Sequence, residues 1–161
     1  ASTGYSDEQI AKIKAAAEHI AVFFTFNMSL GINLLVNLAK KAAEVLGDRF
    51  DIEIVEKHHN TKIDAPSGTA ITLAEGIIDN LDRKSGWSKE VENSSSDIAI
   101  KSIREGEVPG IHTIRYESGV DSIEITHDAK SREGFALGAV LAAEFTAGKK
   151  GFYTTEDMFK F

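Results

Sequence analysis

Cysteine is absent from the 161 residues, which excludes disulfide staples, thiolate metal sites and cysteine nucleophiles. No apolar run approaches the roughly 20 residues needed to cross a bilayer, and no basic stretch leads into an apolar one at the N-terminus. Basic residues are also in the minority, 18 Lys and Arg against 25 Asp and Glu, for a formal charge of −7. A surface that tracks nucleic-acid phosphates needs the opposite balance. These lacks predict a chain with no nucleic-acid and no membrane partner, and a cytoplasmic home is the default. What is present, 42% hydrophobic and 27% charged residues, suffices for one domain with a real core, or for one domain plus part of another.

Ser6 and Gln9 fit a capping box ahead of Ile10, Ile13 and Ala17, which predicts a helix from about Asp7 to about His19. Ile20 to Phe26 is apolar on both alternating faces, as in an interior strand of a parallel sheet, yet nothing upstream could supply that sheet. Leu30, Leu34, Leu38, Ala42 and Val45 mark a helix from near Ser29 to Gly47, with a stripe that wants a sheet to cover. Ile52 and Ile54 alternate with Asp51 and Glu53 in a strand that runs towards His58 with one face buried. Beyond Pro66, either Ser67 or Thr69 can cap a second helix carrying Ile71, Ala74, Ile77, Ile78 and Leu81. The polar stretch from Lys84 to Asp97, with Ser94, Ser95 and Ser96 together, predicts a surface loop.

Three more strands are predicted at Ile98–Ile103, Ile111–Tyr116 and Ser122–Thr126, the last two joined through Glu117, Ser118 and Gly119 in a hairpin-like turn. A third helix from about Arg132 carries Phe135, Ala139, Ala142 and Phe145, and Gly148 closes it. The expected fold class is α+β, a four-stranded mixed, largely antiparallel open sheet with helices packed on one face. A second copy of the sheet is the obvious cover for the other face if that face is apolar enough.

The densest set of chemically capable side chains is Glu56-Lys57-His58-His59-Asn60-Thr61-Lys62-Ile63-Asp64-Ala65-Pro66-Ser67-Gly68-Thr69, where a strand ends and a helix begins. Free N–H groups at a helix start favour an anion, and Ser67, Gly68 and Thr69 supply hydroxyls beside a residue without Cβ. His58 can trade protons near neutral pH, and Lys62 is a cationic donor. A capped helix start or a hydrogen-bonded surface histidine accounts for any one of these residues alone. Core packing requires none of them together, so the segment reads as an anion site with acid/base capacity. His58 and His59, adjacent on a strand, point to opposite faces and cannot chelate one metal together.

Glu56, His58, His59, Lys62 and Asp64 to Ala70 match the signature of the dihydrodipicolinate reductases, in which a Glu, one variable residue and paired His precede a Lys and then Asp-Ala-Pro-Ser-Gly-Thr-Ala. The chain resembles that family over nearly its whole length, through Asn27 to Gly31, Ile123 to His127, Ser131-Arg132 and Phe135 as well. The resemblance implies an oxidoreductase of lysine and diaminopimelate biosynthesis that uses NADH or NADPH to reduce a cyclic dicarboxylate, dihydrodipicolinate or its hydrated form, and that assembles as a homotetramer through the sheet face. It implies protonation by His58 and Lys62, and substrate-carboxylate contacts from His59, Lys62, Ser67, Gly68 and Thr69. Arg132 and Phe135 match positions near the active-site mouth, where a cofactor would lie, and no metal is implied.

The family's Gly-rich pyrophosphate turn has no counterpart in these residues. The resemblance therefore implies that residues 1–27 are a remnant of a dinucleotide-binding domain and hinge, with Asp7 to Phe26 its last helix and strand. Residues 28–148 are then the substrate-binding and oligomerisation domain, and residues 149–161 a tail returning toward the absent domain. The chain alone is expected to hold little or no cofactor and to turn over little. Two departures stand out: Phe26 where relatives have a small residue or Pro, and Arg104-Glu105-Gly106 where they often show Arg-Gly-Gly. Two other readings compete, a non-catalytic dicarboxylate-binding or assembly module, and a metal protein using His58, His112 and His127. The metal reading lacks the carboxylate partners that hold ligating histidines in place.

Overall fold

The computed structural model describes residues 5–89 and 96–159, so Ser94 and Ser95 of the expected loop lie outside the described residues. The chain divides into two compact units, one drawn from Ala1–Leu30 and Glu133–Phe161, the other from Gly31–Arg132.

In the first unit, Ser6 caps α1 (Asp7–Ala16). Its hydroxyl accepts from the Gln9 amide while the Gln9 side chain accepts from the Ser6 amide, so two orphan donors are satisfied reciprocally. β1 (Ala21–Phe23) has a partner after all: it pairs in parallel with β7 (Gly151–Tyr153), with Ala21 opposite Gly151. That partner comes from the far end of the chain, and its three residues show no alternation by which a sequence could reveal it. Phe24 stacks on Phe152 with ring centroids 5.7 Å apart, and Phe23 meets Phe145 edge-on at 6.3 Å. α4 (Glu133–Thr146) lies so close to Met28 that a Cβ on Gly138 would fall 1.7 Å from the Met28 carbonyl oxygen, so only glycine fits there. The unusual Phe26 is exposed and packs edge-on against Phe24. A single turn, α5 (Thr155–Met158), follows β7.

The second unit is built on β2 (Asp51–His58), which runs parallel to β4 (Asp97–Arg104) on one side and antiparallel to β5 (Ile111–Glu117) on the other. β6 (Ser122–Asp128) extends the antiparallel side, and β3 (Gly86–Ser88) extends the parallel side, giving the order β3-β4-β2-β5-β6. The expected four-stranded, largely antiparallel sheet is therefore corrected to five strands, with two parallel and two antiparallel pairings. β3 sits in the stretch expected to be loop. It is three residues long and opens on glycine, and it pairs through backbone groups that leave no side-chain period.

α2 (Leu30–Leu46) and α3 (Gly68–Ile78) share the sheet's core. α2 buries Ile32, Leu35, Ala39 and Ala43, and leaves Leu34, Leu38 and Val45 exposed, so the stripe expected to face the sheet is the wrong flank. Both flanks satisfy helical spacing. The small side chains of Ala39 and Ala43 decide the matter by letting the helix approach closely. Gly47 ends α2 with φ +57, in the left-handed region. The buried Tyr116 hydroxyl donates to the Ala39 carbonyl at 2.7 Å, fastening β5 to α2.

The strand register lines up the inner face in rungs. Ile100, Ile54, Ile114 and Ile125 form one rung, and Ser102, Glu56, His112 and His127 form the next. Burying a large aliphatic side chain contributes about 1.5–3 kcal/mol. The isoleucine rung thus supplies stability against which a buried polar rung can be carried. On the opposite face, Arg115 pairs with Glu124 at 2.9 Å and Thr113 with Thr126 at 2.9 Å.

Candidate functional site

Period-two alternation carries the buried side of β2 from Ile52 and Ile54 on to Glu56 and His58. Glu56 is wholly buried, and a bare carboxylate there would cost several kcal/mol. Its Oε1 accepts from the Arg104 guanidinium at 3.0 Å and from the Ser67 amide at 3.1 Å. Its Oε2 lies 3.2 Å from His58 Nδ1 and 4.0 Å from His112 Nε2. Burial alone would raise the carboxyl, but donors from His58, Ser67, Ser102 and Arg104 outweigh it and hold Glu56 well below the usual carboxylate range. Glu56 is therefore an ionised group in the interior.

The His112 ring stands edge-on to that of His58, with centroids 5.0 Å apart, and its Nε2 lies 3.3 Å from Ser67 Oγ. Burial first, and the neighbouring His58 next, push His112 down to about 3, so it is neutral at physiological pH. A Cβ on Gly110 would fall 3.2 Å from His58 Nε2 and 3.8 Å from His112 Cε1. Glycine there keeps the approach to His58 Nε2 clear.

Of the two possible caps of α3, Ser67 serves: its Oγ accepts from the Ala70 amide at 3.3 Å. One residue thus joins the helix cap, the buried carboxylate and His112. Around the place of a Cβ on Gly68 there is nothing within 4 Å, which leaves open space at the positive end of α3. Thr69 is half-buried in the same turn. Lys62 binds both carboxylate oxygens of Asp64 at 2.8 Å, and that hydrogen bond holds Asp64 below its ordinary value. His59 Nδ1 lies 2.7 Å from Thr61 Oγ1. Arg104 also donates to the carbonyls of Lys62 at 3.4 Å and Asp64 at 2.6 Å, so a single guanidinium fastens the loop to β2.

Among the residues proposed from sequence, His58 and Ser67 meet around Glu56, and Lys62, Gly68 and Thr69 sit on the loop and helix start tied to it. Arg132 is exposed at the end of the second unit, whereas Phe135 is half-buried on α4 of the first. Glu56 and Arg104 are not among the site residues expected from sequence, and His112 enters there only as a ligand of the metal reading. Strand parity is the signal for all three, since each shares its side of the strand with buried isoleucines. The unusual Glu105 stays outside the network: its carboxylate pairs with Lys57 at 2.7 Å, and its amide donates to the His58 carbonyl at 2.9 Å.

Among the described residues, Glu56, His58 and His112 offer ligand atoms within 4.8 Å of one another, a different set from the three histidines weighed from sequence. Arg104 holds Glu56 Oε1 at 3.0 Å and Ser67 Oγ lies 3.3 Å from His112 Nε2, so a cation there would face the guanidinium. No helix among the described residues is long and apolar enough to cross a membrane.

Residues 31–159 match the family described as dihydrodipicolinate reductase, C-terminus. The 4-hydroxy-tetrahydrodipicolinate reductase of Caldanaerobacter subterraneus subsp. tengcongensis is 44% identical over 166 residues, covering 99% of this chain and 66% of the relative. That of Christiangramia forsetii is 43% identical over 160 residues, covering 98% and 66%. Among solved structures, the dipicolinate-bound dihydrodipicolinate reductase from Paenisporosarcina sp. TG-14 matches with a TM-score of 0.75 at 27% identity, over 97% of this chain and 62% of that one. The chain thus spans slightly less than two thirds of the length of these relatives.

Proposed function

Because this chain belongs to the dihydrodipicolinate reductase family, through the family's C-terminal part, we propose that it binds the cyclic dicarboxylate substrate of a 4-hydroxy-tetrahydrodipicolinate reductase and supplies the proton its reduction requires. The observation that supports this reading is the ionised, buried Glu56, which stands between His58 and the start of α3, where the space around Gly68 is open. A doubly negative ring needs a cation and several N–H donors. The first-turn amides of α3 and the Lys62 ammonium supply them, the ammonium leaving Asp64 for a substrate carboxylate, with His59 and Thr69 at the rim. His58 and Lys62 then deliver the proton.

Hydride in such reductases comes from NADH or NADPH. Among the described residues, no glycine-rich turn leads from a strand into a helix. The steps assigned here are binding and protonation alone. The parallel pairing of β1 with β7 supports reading residues 1–27 and 149–161 as an edge of a dinucleotide-binding domain, and residues 28–148 as the substrate-binding part. The chain by itself is then expected to oxidise little NADH or NADPH, and a rate comparable to a full-length relative would overturn that expectation. The homotetramer implied by the family resemblance would use the sheet face bearing Arg115, Glu124, Thr113 and Thr126, which is polar where an apolar cover was expected, and a monomer's mass by light scattering would remove it.

Calorimetric titration with pyridine-2,6-dicarboxylate tests the central reading. Wild type is expected to bind, and Lys62→Ala to bind at least about tenfold more weakly, about 1.4 kcal/mol. No heat at millimolar ligand would end it.

A further inference from the structure

We infer that Glu56 is a positioning residue for His58: it fixes one ring hydrogen on Nδ1 and so makes Nε2 the nitrogen that exchanges a proton with a bound dicarboxylate. The role of His58 as proton donor rests on the function proposed above; the placement of the hydrogen does not.

Glu56 is itself immobilised, with Oε1 shared between the Arg104 guanidinium and the Ser67 amide. That leaves Oε2, buried and 3.2 Å from the buried His58 Nδ1, and neither atom makes an aligned hydrogen bond. A neutral imidazole carries one hydrogen on either nitrogen. With the hydrogen on Nε2, a lone pair on Nδ1 would face an ionised carboxylate oxygen 3.2 Å away with both atoms buried, whereas a hydrogen on Nδ1 gives that oxygen a donor to turn toward. The other groups around the ring do not compete for this. Arg104 comes from β4 and His112 from β5, with His127 of β6 beyond it, and Lys62 on the loop is held by Asp64. Glu56 is the one carboxylate of the polar rung. On the ring's other side, a Cβ on Gly110 would stand 3.2 Å from Nε2, so glycine leaves that nitrogen uncrowded there.

Proton delivery follows. In the imidazolium both nitrogens carry hydrogen. The Nε2–H bond breaks toward the carbon that has gained negative charge, its electron pair stays on Nε2, and the ring returns to the Nδ1–H form that Glu56 favours. Solvent restores the Nε2 proton.

Nitrogen-15 NMR of the histidine rings reads this directly, with His58 assigned by the signals lost in His58→Gln. At neutral pH the neutral His58 ring of the wild type is expected to carry its hydrogen on Nδ1. In Glu56→Gln the ratio of Nδ1–H to Nε2–H is expected to fall about tenfold or more. A role confined to packing would not move the tautomer. An Nε2–H ring in wild type, or an unchanged ratio in the variant, overturns the inference, and the wild-type spectrum decides even if Glu56→Gln fails to fold. Failure of wild type to bind the dicarboxylate would instead overturn the proposed function, with the tautomer still legible.

Discussion

Two charged pairs in the same short segment are handled in opposite ways. Their cations are alike, Arg104 being 20% and Lys62 21% exposed, but the Glu56 carboxylate is wholly buried whereas that of Asp64 is 56% exposed. Water cannot answer the inner carboxylate, so the protein must, and it recruits donors from β2, β4 and the start of α3. Water shares the outer pair, so little of the fold depends on it. The difference separates two duties: the inner charges hold the site in shape, and the outer ones are free to change partner when a ligand arrives.

The sharpest way to break this comparison is to remove one charge from each pair. Arg104→Met leaves the buried carboxylate underpaired, and urea denaturation is expected to show a loss of about 3–5 kcal/mol. Equal losses for Arg104→Met and Lys62→Met would erase the distinction. Acid offers the next largest effect. His112, at about 3 in the fold against 6.5 ordinarily, leaves the unfolded chain to take up a proton first as pH falls. Stability is therefore full above about pH 6.5 and is lost towards pH 3, with a slope approaching about 1.4 kcal/mol per pH unit. Glu56, held below its ordinary 4.5, adds a loss of the same sign only at lower pH. The interval from pH 6.5 to 5 thus isolates the histidines. His127, also lowered by burial, acts in the same direction, and His112→Gln should flatten most of the slope in a pH series of melts.

Smaller effects sharpen the picture. Ser67→Ala removes the cap of α3 and the hydroxyl beside His112, for an expected loss of about 1–2 kcal/mol in urea. Lys62→Met should alter stability by less than about 0.5 kcal/mol while weakening dicarboxylate binding. A Lys62 variant that unfolds would place that residue in the scaffold instead.

Much of this was legible in the chain before any coordinates. The helix starts at Ser6 and Ser67 follow from hydroxyls positioned to accept from the first turn, and β2, β4, β5 and β6 follow from alternation. The sheet's fifth strand and the β1–β7 pair were not legible, because three-residue strands are specified by backbone pairing and by a partner distant in sequence. The face of α2 was misread because two apolar flanks offer the same spacing, and only the tertiary partner chooses between them. In the site, the motif pointed to His58, Lys62 and Ser67, but residue types alone did not distinguish a buried carboxylate from a solvated one. Carrying the alternation of Ile52 and Ile54 two residues further places Glu56 inside, and on β4 two such steps lead from Ile100 through Ser102 to Arg104.

The pairing of β2 with both neighbours has a consequence for how the chain finds its fold. Side chains alternate along a strand, so sliding β4 by one position would turn the guanidinium outward and strand the Glu56 carboxylate among isoleucines. Sliding β5 would likewise withdraw the imidazole of His112. The same groups that suit the centre for acid/base work therefore act as a lock on strand alignment, and misaligned sheets are rejected by their own unanswered charge.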